Sequence, residues 1–310
     1  MPAYLLWSLV LLASLAALIK GADIFVEHCA RLARALGVPH YIIGVTLVAL
    51  GTSLPELAAS LASVFSGAGE FVAGTVVGSN VANILFILGA AIVAFRGFLF
   101  SRNIVQEDMP VLLLAAMVIS LFLWDGRVSR FEGSLLVVMY GVYLLHTLRR
   151  QAESELAAEG GFRPVTILWL GLSGALVWLG ADFTVKACVQ LTALMGLGDT
   201  SLLAITVVAV GSSLPELLVS LAAARKKYYE LSLGNVVGSN ICNSFAVLGL
   251  PALVKPLPSS ELVNGVGLPY MLAASLLLLI YGQRESAGTM SGLFFLILFV
   301  AYLGQVLGLS

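Results

Sequence analysis

The segment "GTSLPEL" occupies Gly51–Leu57, and "GSSLPEL" occupies Gly211–Leu217. Each places a glutamate directly after a proline inside an apolar stretch of the chain. The surroundings repeat as well, since residues 44–63 align without gaps to residues 204–223 with 12 identities in 20 positions. Apolar helices share identities by chance because they use few residue types, but these matches include Gly, Pro, Glu and Ser. The repetition therefore indicates an internal duplication.

Two further pairs of segments repeat with the same offset of 159–160 residues. Residues 74–89 match residues 234–249 at 9 of 16 positions, and "KGADIFVEHCARL" at 20–32 corresponds to "LGADFTVKACVQL" at 179–191. The only long polar stretch, "RQAESELAAEGGFRP", lies between the two copies. We therefore divide the chain into a first repeat, a polar linker and a second repeat, which span residues 1–149, 150–164 and 165–310.

The composition is that of an integral membrane protein. Hydrophobic residues make up 60% of the 310 residues and charged residues 11%, which leaves too little polar surface for a soluble domain. Most apolar runs approach the roughly 20 residues that a helical bilayer crossing needs, and they lack the alternation of a membrane β-strand. The sequence predicts an all-α polytopic protein of ten transmembrane helices, at about 3–19, 41–65, 72–95, 109–124, 133–148, 165–185, 201–224, 231–254, 267–282 and 288–308.

The number of helices in each half sets the relation between the halves. Five crossings per repeat mean that the second copy enters the membrane from the opposite side, so the repeats have inverted topology. The two "LPE" segments then meet near the middle of the bilayer. With the N-terminus outside, the inward-facing segments hold eleven Lys and Arg residues against four in the outward-facing ones. We therefore expect both termini outside, and the first twenty residues to be a retained helix, because no basic residue precedes their apolar stretch.

The repeated motif gathers oxygen atoms. Pro55 cannot donate to the carbonyl of Gly51, and Pro215 cannot donate to that of Gly211, so each helix is expected to break or bend and to leave carbonyl groups free. Helical spacing places hydroxyl groups on the face of each glutamate, and the next helix adds a serine and an asparagine four residues apart. These side chains are Thr52, Ser53, Ser60, Ser79 and Asn83 around Glu56, and Ser212, Ser213, Ser220, Ser239 and Asn243 around Glu216.

Two glutamates inside a membrane must be protonated, paired or bound to a metal ion, and no Lys or Arg lies at their depth. The surrounding donors are all hard oxygen atoms, which suit calcium or sodium and not zinc or copper. Cys29, Cys188 and Cys242 form no metal-binding spacing and are expected to be small buried residues, with Cys242 turned away from Asn243. Asn80 and Asn240, off this face, are candidates for hydrogen bonds between helices. No resident cofactor is expected.

At these residues the chain resembles the calcium/cation antiporter superfamily, and within it a prokaryotic sodium/calcium exchanger of the cell's inner membrane. The paired "G-[TS]-S-L-P-E" and "G-S-N-x-x-N" blocks carry this resemblance over essentially the whole length. It implies that calcium and sodium share the carboxylates of Glu56 and Glu216, and that the long helices carrying Asp23 and Asp182 form a sliding gate. It further implies ligands from the side chains of Thr52, Ser53, Ser79, Asn83, Ser212, Ser213, Ser239 and Asn243 and from the carbonyl groups of Ala49 and Ala209.

Two departures refine the resemblance. Some relatives, including those that co-transport potassium, carry aspartate where this chain has Asn243, so we expect no potassium dependence. The linker at 150–164 is too short for the calcium-sensing domains of animal exchangers, so we expect no regulation of that kind.

Other functions remain open at this point. The same scaffold could exchange cations for protons, and a channel could also use a paired site. An enzyme is not expected, because "GLGD" at 196–199 lacks the structural setting of an aspartyl protease. Asp23 and Asp182 could line an ion pathway or serve packing. With a net charge of −1 there is no basic stripe for nucleic acid; the expected partners are calcium ions, sodium ions and the lipid bilayer, and no oligomer is required.

Overall fold

A computed structural model describes residues 3–96, 98–152, 163–194, 213–284 and 286–308. These residues form ten helices, which we number in chain order. The first repeat holds α1 (Ala3–Leu36), α2 (His40–Phe65), α3 (Glu70–Phe95), α4 (Ile104–Phe122) and α5 (Arg130–Ala152). The second holds α6 (Pro164–Leu194), α7 (Leu214–Arg225), α8 (Tyr229–Val254), α9 (Val263–Gly282) and α10 (Thr289–Val306).

The predicted fold class is confirmed: the protein is an all-α polytopic membrane protein made of two inverted five-helix repeats. Within the described ranges, nine helices are long and apolar enough to cross a bilayer. The tenth, α7, belongs to the run predicted at 201–224, of which the residues before Ser213 lie outside the described part of the chain. Two helices are longer than their apolar runs, because α1 continues to Leu36 and α6 to Leu194.

Two short strand pairs join the repeats. Strand β1 (Phe98–Leu99) pairs antiparallel with β4 (Ser286–Ala287), and β2 (Arg127–Val128) pairs antiparallel with β3 (Leu257–Pro258). Because β1 and β2 belong to the first repeat and β3 and β4 to the second, each pair links one repeat to the other. The loop ends of the two halves are therefore interleaved, and neither half stands as a separate body.

The helices are interleaved in the same way. An added Cβ at Gly89 of α3 would lie 3.2 Å from the carbonyl oxygen of Gly292 of α10, and one at Gly249 of α8 would lie 3.1 Å from that of Gly133 of α5. Gly89 and Gly249 are equivalent positions of the two repeats. Close glycine contacts of this kind let helix backbones approach where lipid supplies no hydrophobic driving force. Each repeat thus packs its third helix against the last helix of the other repeat.

The helices differ in how much of their surface faces outward. Most residues of α8 are buried, as are most of α3, so these two helices form the centre of the protein. The outer helices α1, α5, α6 and α10 expose large apolar side chains along their length, among them Leu12, Val142, Leu172 and Ile297. Apolar side chains on the outer surface are expected where a protein faces the hydrocarbon of a bilayer. The buried polar side chains lie at the centre instead.

Helices α1 and α6 pack side by side along much of their length. An added Cβ at Gly21 would lie 3.1 Å from the backbone nitrogen of Val177, and one at Gly180 would lie 2.9 Å from that of Leu18. Gly21 and Gly180 are equivalent in the two repeats, and so are Leu18 and Val177. The crossing is therefore a symmetric contact between the backbones of the two helices. Thr184 of α6 donates to Ser14 of α1 at 2.9 Å beside it.

Near the centre of the protein, α8 and α2 approach each other very closely. A Cβ added at Gly238 would lie 2.6 Å from both the Cα and the carbonyl oxygen of Val45 and 2.8 Å from the Cβ of Ala49. Because two of these atoms belong to the backbone, the clash cannot be relieved by turning a side chain. Gly238 lies next to Ser239, so this contact sets the distance between the two motif helices.

We expect Gly238→Ala to lower the apparent unfolding temperature of the detergent-solubilised protein by roughly 3–10 °C, corresponding to about 1–3 kcal/mol of overpacking. Gly141→Ala on α5 is the matched control, since nothing lies within 4 Å of its added Cβ. Thermal unfolding of both variants, followed by light scattering or dye binding, measures the difference. Equal stability of the two variants would contradict the close contact at Gly238.

Candidate functional site

The two motif glutamates lie on helices of opposite repeats. Glu56 follows Pro55 in the interior of α2, and Glu216 follows Pro215 in the first turn of α7. Both side chains are inaccessible, with 1% and 0% of their surface exposed. The helix is continuous at Pro55, since an α-helical segment runs without interruption from Ala49 to Phe65. A wider π-helical turn at Gly44–Val48 precedes this segment. The residues directly before Ser213 lie outside the described ranges.

The carboxylates of these glutamates form no hydrogen bond of ordinary geometry with a described residue, although the Thr52 hydroxyl lies beside that of Glu216. None of their four oxygen atoms is bonded to any residue in the described part of the chain. The two groups are close enough for the charge of Glu216 to act on Glu56. The ion pairs found among the described residues do not involve either glutamate. A buried carboxylate without a partner is costly in a membrane, so these groups are arranged for something other than protein donors.

A third buried carboxylate shows what the fold does when an acidic group is structural. Asp108 of α4 has 0% of its surface exposed. It accepts a hydrogen bond of 3.0 Å from Tyr143 and forms an ion pair of 3.2 Å with Arg150, both on α5. Arg150 also lies over the ring of Tyr41 at 5.2 Å. Glu56 and Glu216 differ from Asp108, because no described residue forms an ion pair with either of them.

Hydroxyl groups of the two repeats meet beside the glutamates. Thr52 of α2 lies 3.2 Å from the hydroxyl of Ser239 of α8, and Ser213 donates to Ser79 of α3 at 3.4 Å. Thr52 also lies near the carboxylate of Glu216. These contacts join residues more than 130 positions apart in the sequence, so the two halves of the cluster come together as the inverted repeat predicts.

Several further polar atoms of this cluster lack partners among the described residues. They are the hydroxyl oxygen atoms of Ser53 and Ser60, the side-chain oxygen atom of Asn83 and both polar side-chain atoms of Asn243. Buried polar atoms are nearly always bonded, and each exception needs a reason. Together with the carboxylates they form a set of hard oxygen donors, which is the donor set that calcium and sodium prefer. The described residues contain no group of three or more His, Cys, Asp and Glu side chains, the kind of cluster that a transition metal would use.

Ten of the twelve residues that the sequence singled out are described by the structure, and all ten are buried: Ala49, Thr52, Ser53, Glu56, Ser79, Asn83, Ser213, Glu216, Ser239 and Asn243. Contacts across the repeats join Thr52 to Ser239 and Ser79 to Ser213. The carbonyl oxygen of Ala49 accepts a bond of 3.3 Å from the hydroxyl of Thr52. Ala209 and Ser212 lie outside the described residues.

The amides off the motif face connect helices. Asn80 donates to Ser244 at 2.8 Å, and Asn240 donates to the carbonyl oxygen of Asn80 at 3.1 Å. Asn83 in turn donates to the side-chain oxygen atom of Asn240 at 2.9 Å. Asn240 therefore fixes the orientation of the Asn83 amide, whose oxygen atom has no partner among the described residues.

Two residues next to the site differ from expectation. Asn235 of α8, which the sequence did not indicate, bonds to Thr52 at 3.1 Å and to Ser220 at 2.9 Å. The signal was available, because Asn235 lies four residues before Ser239, but the repeat has Thr75 at the equivalent position. Cys242 is buried as expected, yet its thiol lies beside Ser53 and Tyr140 instead of away from the cluster.

The aspartates of the long helices form ion pairs at some distance from the oxygen cluster. Asp23 of α1 pairs with Arg225 at 2.6 Å, and its carbonyl oxygen accepts a bond of 2.8 Å from Lys226. Lys226 also lies 3.6 Å from Glu27. These contacts tie α1 to the end of α7, the helix of Glu216. Asp182 of α6 pairs with Lys186 of its own helix at 2.7 Å.

These features define a helical membrane transporter of cations, made of two inverted repeats with one central oxygen-lined site. The family model "Sodium/calcium exchanger protein" matches the chain twice, at residues 6–149 and 165–308. The chain therefore belongs to the sodium/calcium exchanger family. It is a cation antiporter of the calcium-exchanging kind and not an enzyme.

Individual proteins resemble the chain over most of its length. It is 33% identical to the inner membrane protein YrbG of Escherichia coli, with 91% of this chain and 90% of that protein covered. It is 34% identical to the sodium/calcium exchanger MaX1 of Methanosarcina acetivorans, with 88% and 90% covered. Its structure superposes on the sodium-calcium exchanger NCX_Mj, soaked with 2.5 mM Na+ and 0.1 mM Ca2+, with a TM-score of 0.87, 29% identity, and 96% and 98% coverage.

We expect calcium at about one hundred times its dissociation constant to stabilise the purified protein by about 2.7 kcal/mol, because only the folded site holds the ion. Glu56→Gln and Glu216→Gln should each remove most of this shift in unfolding temperature, since each takes away one of the two charges that face the ion. Glu261→Gln, at an exposed position, is the control. A calcium-induced shift that survives both substitutions would place the binding site elsewhere.

Proposed function

We propose that this protein exchanges sodium for calcium across the membrane by alternating access at one site. The proposal rests on one observation above all, which is that Glu56 and Glu216 come from opposite repeats and are buried without hydrogen-bond donors among the described residues. Two carboxylates offset one divalent cation, so the calcium-bound site is close to neutral and can be closed off from water at a tolerable cost. The names of the relatives MaX1 and NCX_Mj, both of which mention sodium and calcium, support the choice of ions.

Coupling follows from the same charges. The oxygen cluster cannot hold calcium and its competing sodium ions together, so one displaces the other. Without any cation it would carry two buried negative charges, and this penalty disfavours a change of conformation without cargo. We assign the carboxylates to both ions. The other proposed ligands of the two ions are the carbonyl groups of Ala49 and Ala209 and eight hydroxyl or amide side chains. These side chains are Thr52, Ser53, Ser79, Asn83, Ser212, Ser213, Ser239 and Asn243.

The long helices α1 and α6 are the moving part in this proposal. They meet through the symmetric backbone contact of Gly21 and Gly180, so they can move together as one unit. A small cavity lies between these helices and the two motif prolines, and its walls include Phe25, Val177 and Thr52. Because Thr52 belongs to both the cavity wall and the oxygen cluster, movement of α1 and α6 would open or close a path to the ions.

We propose sodium and not the proton as the coupling ion, because neutral hydroxyl oxygen atoms surround the glutamates. A carboxylate that only relays protons needs no ring of hydroxyl groups, whereas a bound sodium ion needs several oxygen ligands. The hydroxyl groups of Thr52, Ser53 and Ser239 are buried beside the glutamates and suit the second role. We further propose no potassium dependence, because Asn243 supplies an amide and not a third charge.

We also propose a cellular location and an orientation for the protein. The protein is an integral membrane protein, and we place it in the inner membrane of a prokaryotic cell with both termini outside. We also keep the division into residues 1–149, 150–164 and 165–310, with the linker on the cytoplasmic side. No resident cofactor and no oligomer are required for the exchange.

We expect the purified protein in sodium-loaded liposomes to take up radioactive calcium when the sodium gradient is directed outward. Glu56→Gln and Glu216→Gln should each lower the initial rate by at least about one hundredfold, equivalent to roughly 3 kcal/mol. Glu261→Gln should leave the rate unchanged. A pH gradient imposed without sodium should drive no uptake.

Each arm of this experiment separates one alternative. Uptake driven by the pH gradient alone would make the protein a proton-coupled antiporter. Calcium flux that does not depend on sodium inside the liposomes would indicate a channel. Uptake at the wild-type rate by either glutamine variant would remove the corresponding glutamate from the site.

The orientation is tested by chemical labelling in cells. In a variant whose native cysteines are replaced, we expect Ser66→Cys, in the exposed turn after α2, to react with an impermeant maleimide in intact cells. Arg102→Cys, before α4, should react only after permeabilisation, because the two positions lie on opposite sides of the membrane. The reverse pattern would place both termini inside.

A further inference from the structure

Asn235 uses its whole amide to join the two halves of the site. The residue lies on α8 and is fully buried. Its nitrogen donates to the carbonyl oxygen of Glu216 at 3.3 Å and to the hydroxyl of Ser220 at 2.9 Å. Its oxygen accepts from the hydroxyl groups of Thr52 at 3.1 Å and Ser239 at 3.4 Å. One side chain therefore holds the backbone of Glu216 and three hydroxyl groups around that residue.

The orientation of this amide is fixed by chemistry. The carbonyl oxygen of Glu216 can only accept a hydrogen bond, so the nitrogen of Asn235 must face it. The amide oxygen then faces Thr52 and Ser239, and it can only accept. A hydroxyl group has one proton, and the Asn235 oxygen atom at 3.1 Å is nearer to Thr52 than the Ser239 hydroxyl at 3.2 Å and the Ala49 carbonyl oxygen at 3.3 Å. The carboxylate of Glu216 also lies beside Thr52, but it faces the cation in the proposed ion-bound site, so we assign the proton of Thr52 to Asn235. The lone pairs of Thr52 and the carbonyl oxygen of Ala49 are left to face a cation.

The first repeat lacks this arrangement. The position equivalent to Asn235 holds Thr75, and the hydroxyl of Ser60, equivalent to Ser220, has no partner among the described residues. The backbone symmetry of the two repeats is therefore not matched by their hydrogen bonds. One end of the oxygen cluster, formed by Ala49, Thr52 and Ser239, is set in advance by an amide.

We propose that Asn235 is a positioning residue, which turns the hydroxyl oxygen of Thr52 toward the bound ion. Its loss should weaken sodium more than calcium, because a monovalent ion is attracted half as strongly as a divalent one by the two carboxylates and depends more on neutral oxygen atoms. Asn235 does not contact the ion. The inference rests on the proposed sodium/calcium exchange, whose ion choice it refines.

A double-mutant cycle tests this role, because a residue that acts through Thr52 adds nothing once Thr52 has lost its hydroxyl group. The variants are Asn235→Leu, which keeps the side-chain volume, Thr52→Val, and the two combined. Equilibrium binding of radioactive sodium and of radioactive calcium to the purified protein is measured for each. We expect Asn235→Leu to raise the sodium dissociation constant about tenfold, as for one lost orienting hydrogen bond, with a change of less than about threefold for calcium.

The combined variant should bind sodium no more weakly than Thr52→Val alone. Asn80→Leu is the matched control, since it removes a buried amide that bonds between helices without touching Thr52. Its sodium dissociation constant should stay within about twofold of the wild type. Asn235→Ala, which removes the amide without adding bulk, replaces Asn235→Leu if the latter is not monodisperse.

The outcomes separate this inference from the proposed function. Three results would each overturn the positioning role. The sodium dissociation constant of Asn235→Leu could equal that of the wild type, or its calcium dissociation constant could rise by the same factor as that for sodium. The rise in the combined variant could also equal the product of the rises in the two single variants. Sodium binding by the wild type without sodium-driven calcium uptake would overturn the exchange and leave the role of Asn235 intact. A wild type that binds no sodium would overturn both.

Discussion

The structure depends on one electrostatic constraint, which is the burial of two carboxylates that no described residue neutralises. Glu56 and Glu216 are inaccessible, and no described residue donates to them. Elsewhere the same fold pairs a buried acid with an arginine and a tyrosine, as Asp108 shows. In the proposed exchange, the charges of the two glutamates are offset by the transported cation, which then helps to stabilise the centre of the protein.

The inverted repeat is the means by which a single chain brings these charges together. Each half supplies one glutamate, one set of hydroxyl groups and one gate helix. Interleaving of the halves, through the glycine contacts of α3 with α10 and of α8 with α5 and through two short strand pairs, prevents them from separating. The close approach at Gly238 then holds Ser239 against Thr52. The oxygen cluster and the paired helices α1 and α6 are therefore both built from equivalent segments of the two repeats.

Much of this was predictable from the sequence because the duplication preserved polar residues. The spacing of Glu56, Thr52 and Ser53 places them on one helix face in any helix, and the repeat supplies their partners. The sequence could not predict the length of α1, because its charged residues find ion pairs only in the folded protein. It could not predict an unbroken α2 either, since continuity at Pro55 depends on the surrounding packing. Asn235 was missed because comparison of the repeats favours residues that both copies share.

The ion pairs of α1 have a consequence for the direction of transport. Asp23 and Glu27 attach α1 to Arg225 and Lys226, whereas the equivalent positions of the other repeat are Phe65 and Ser66, which carry no charge. Asp182 is satisfied within its own helix. Among the described residues, α1 is thus attached to α7 by attractions that salt weakens, and α6 is not attached in this way. If α1 and α6 are the moving helices, as proposed above, two nearly mirror-related halves open toward the two compartments against unequal resistance, and ionic strength acts on one side of the cycle more than on the other.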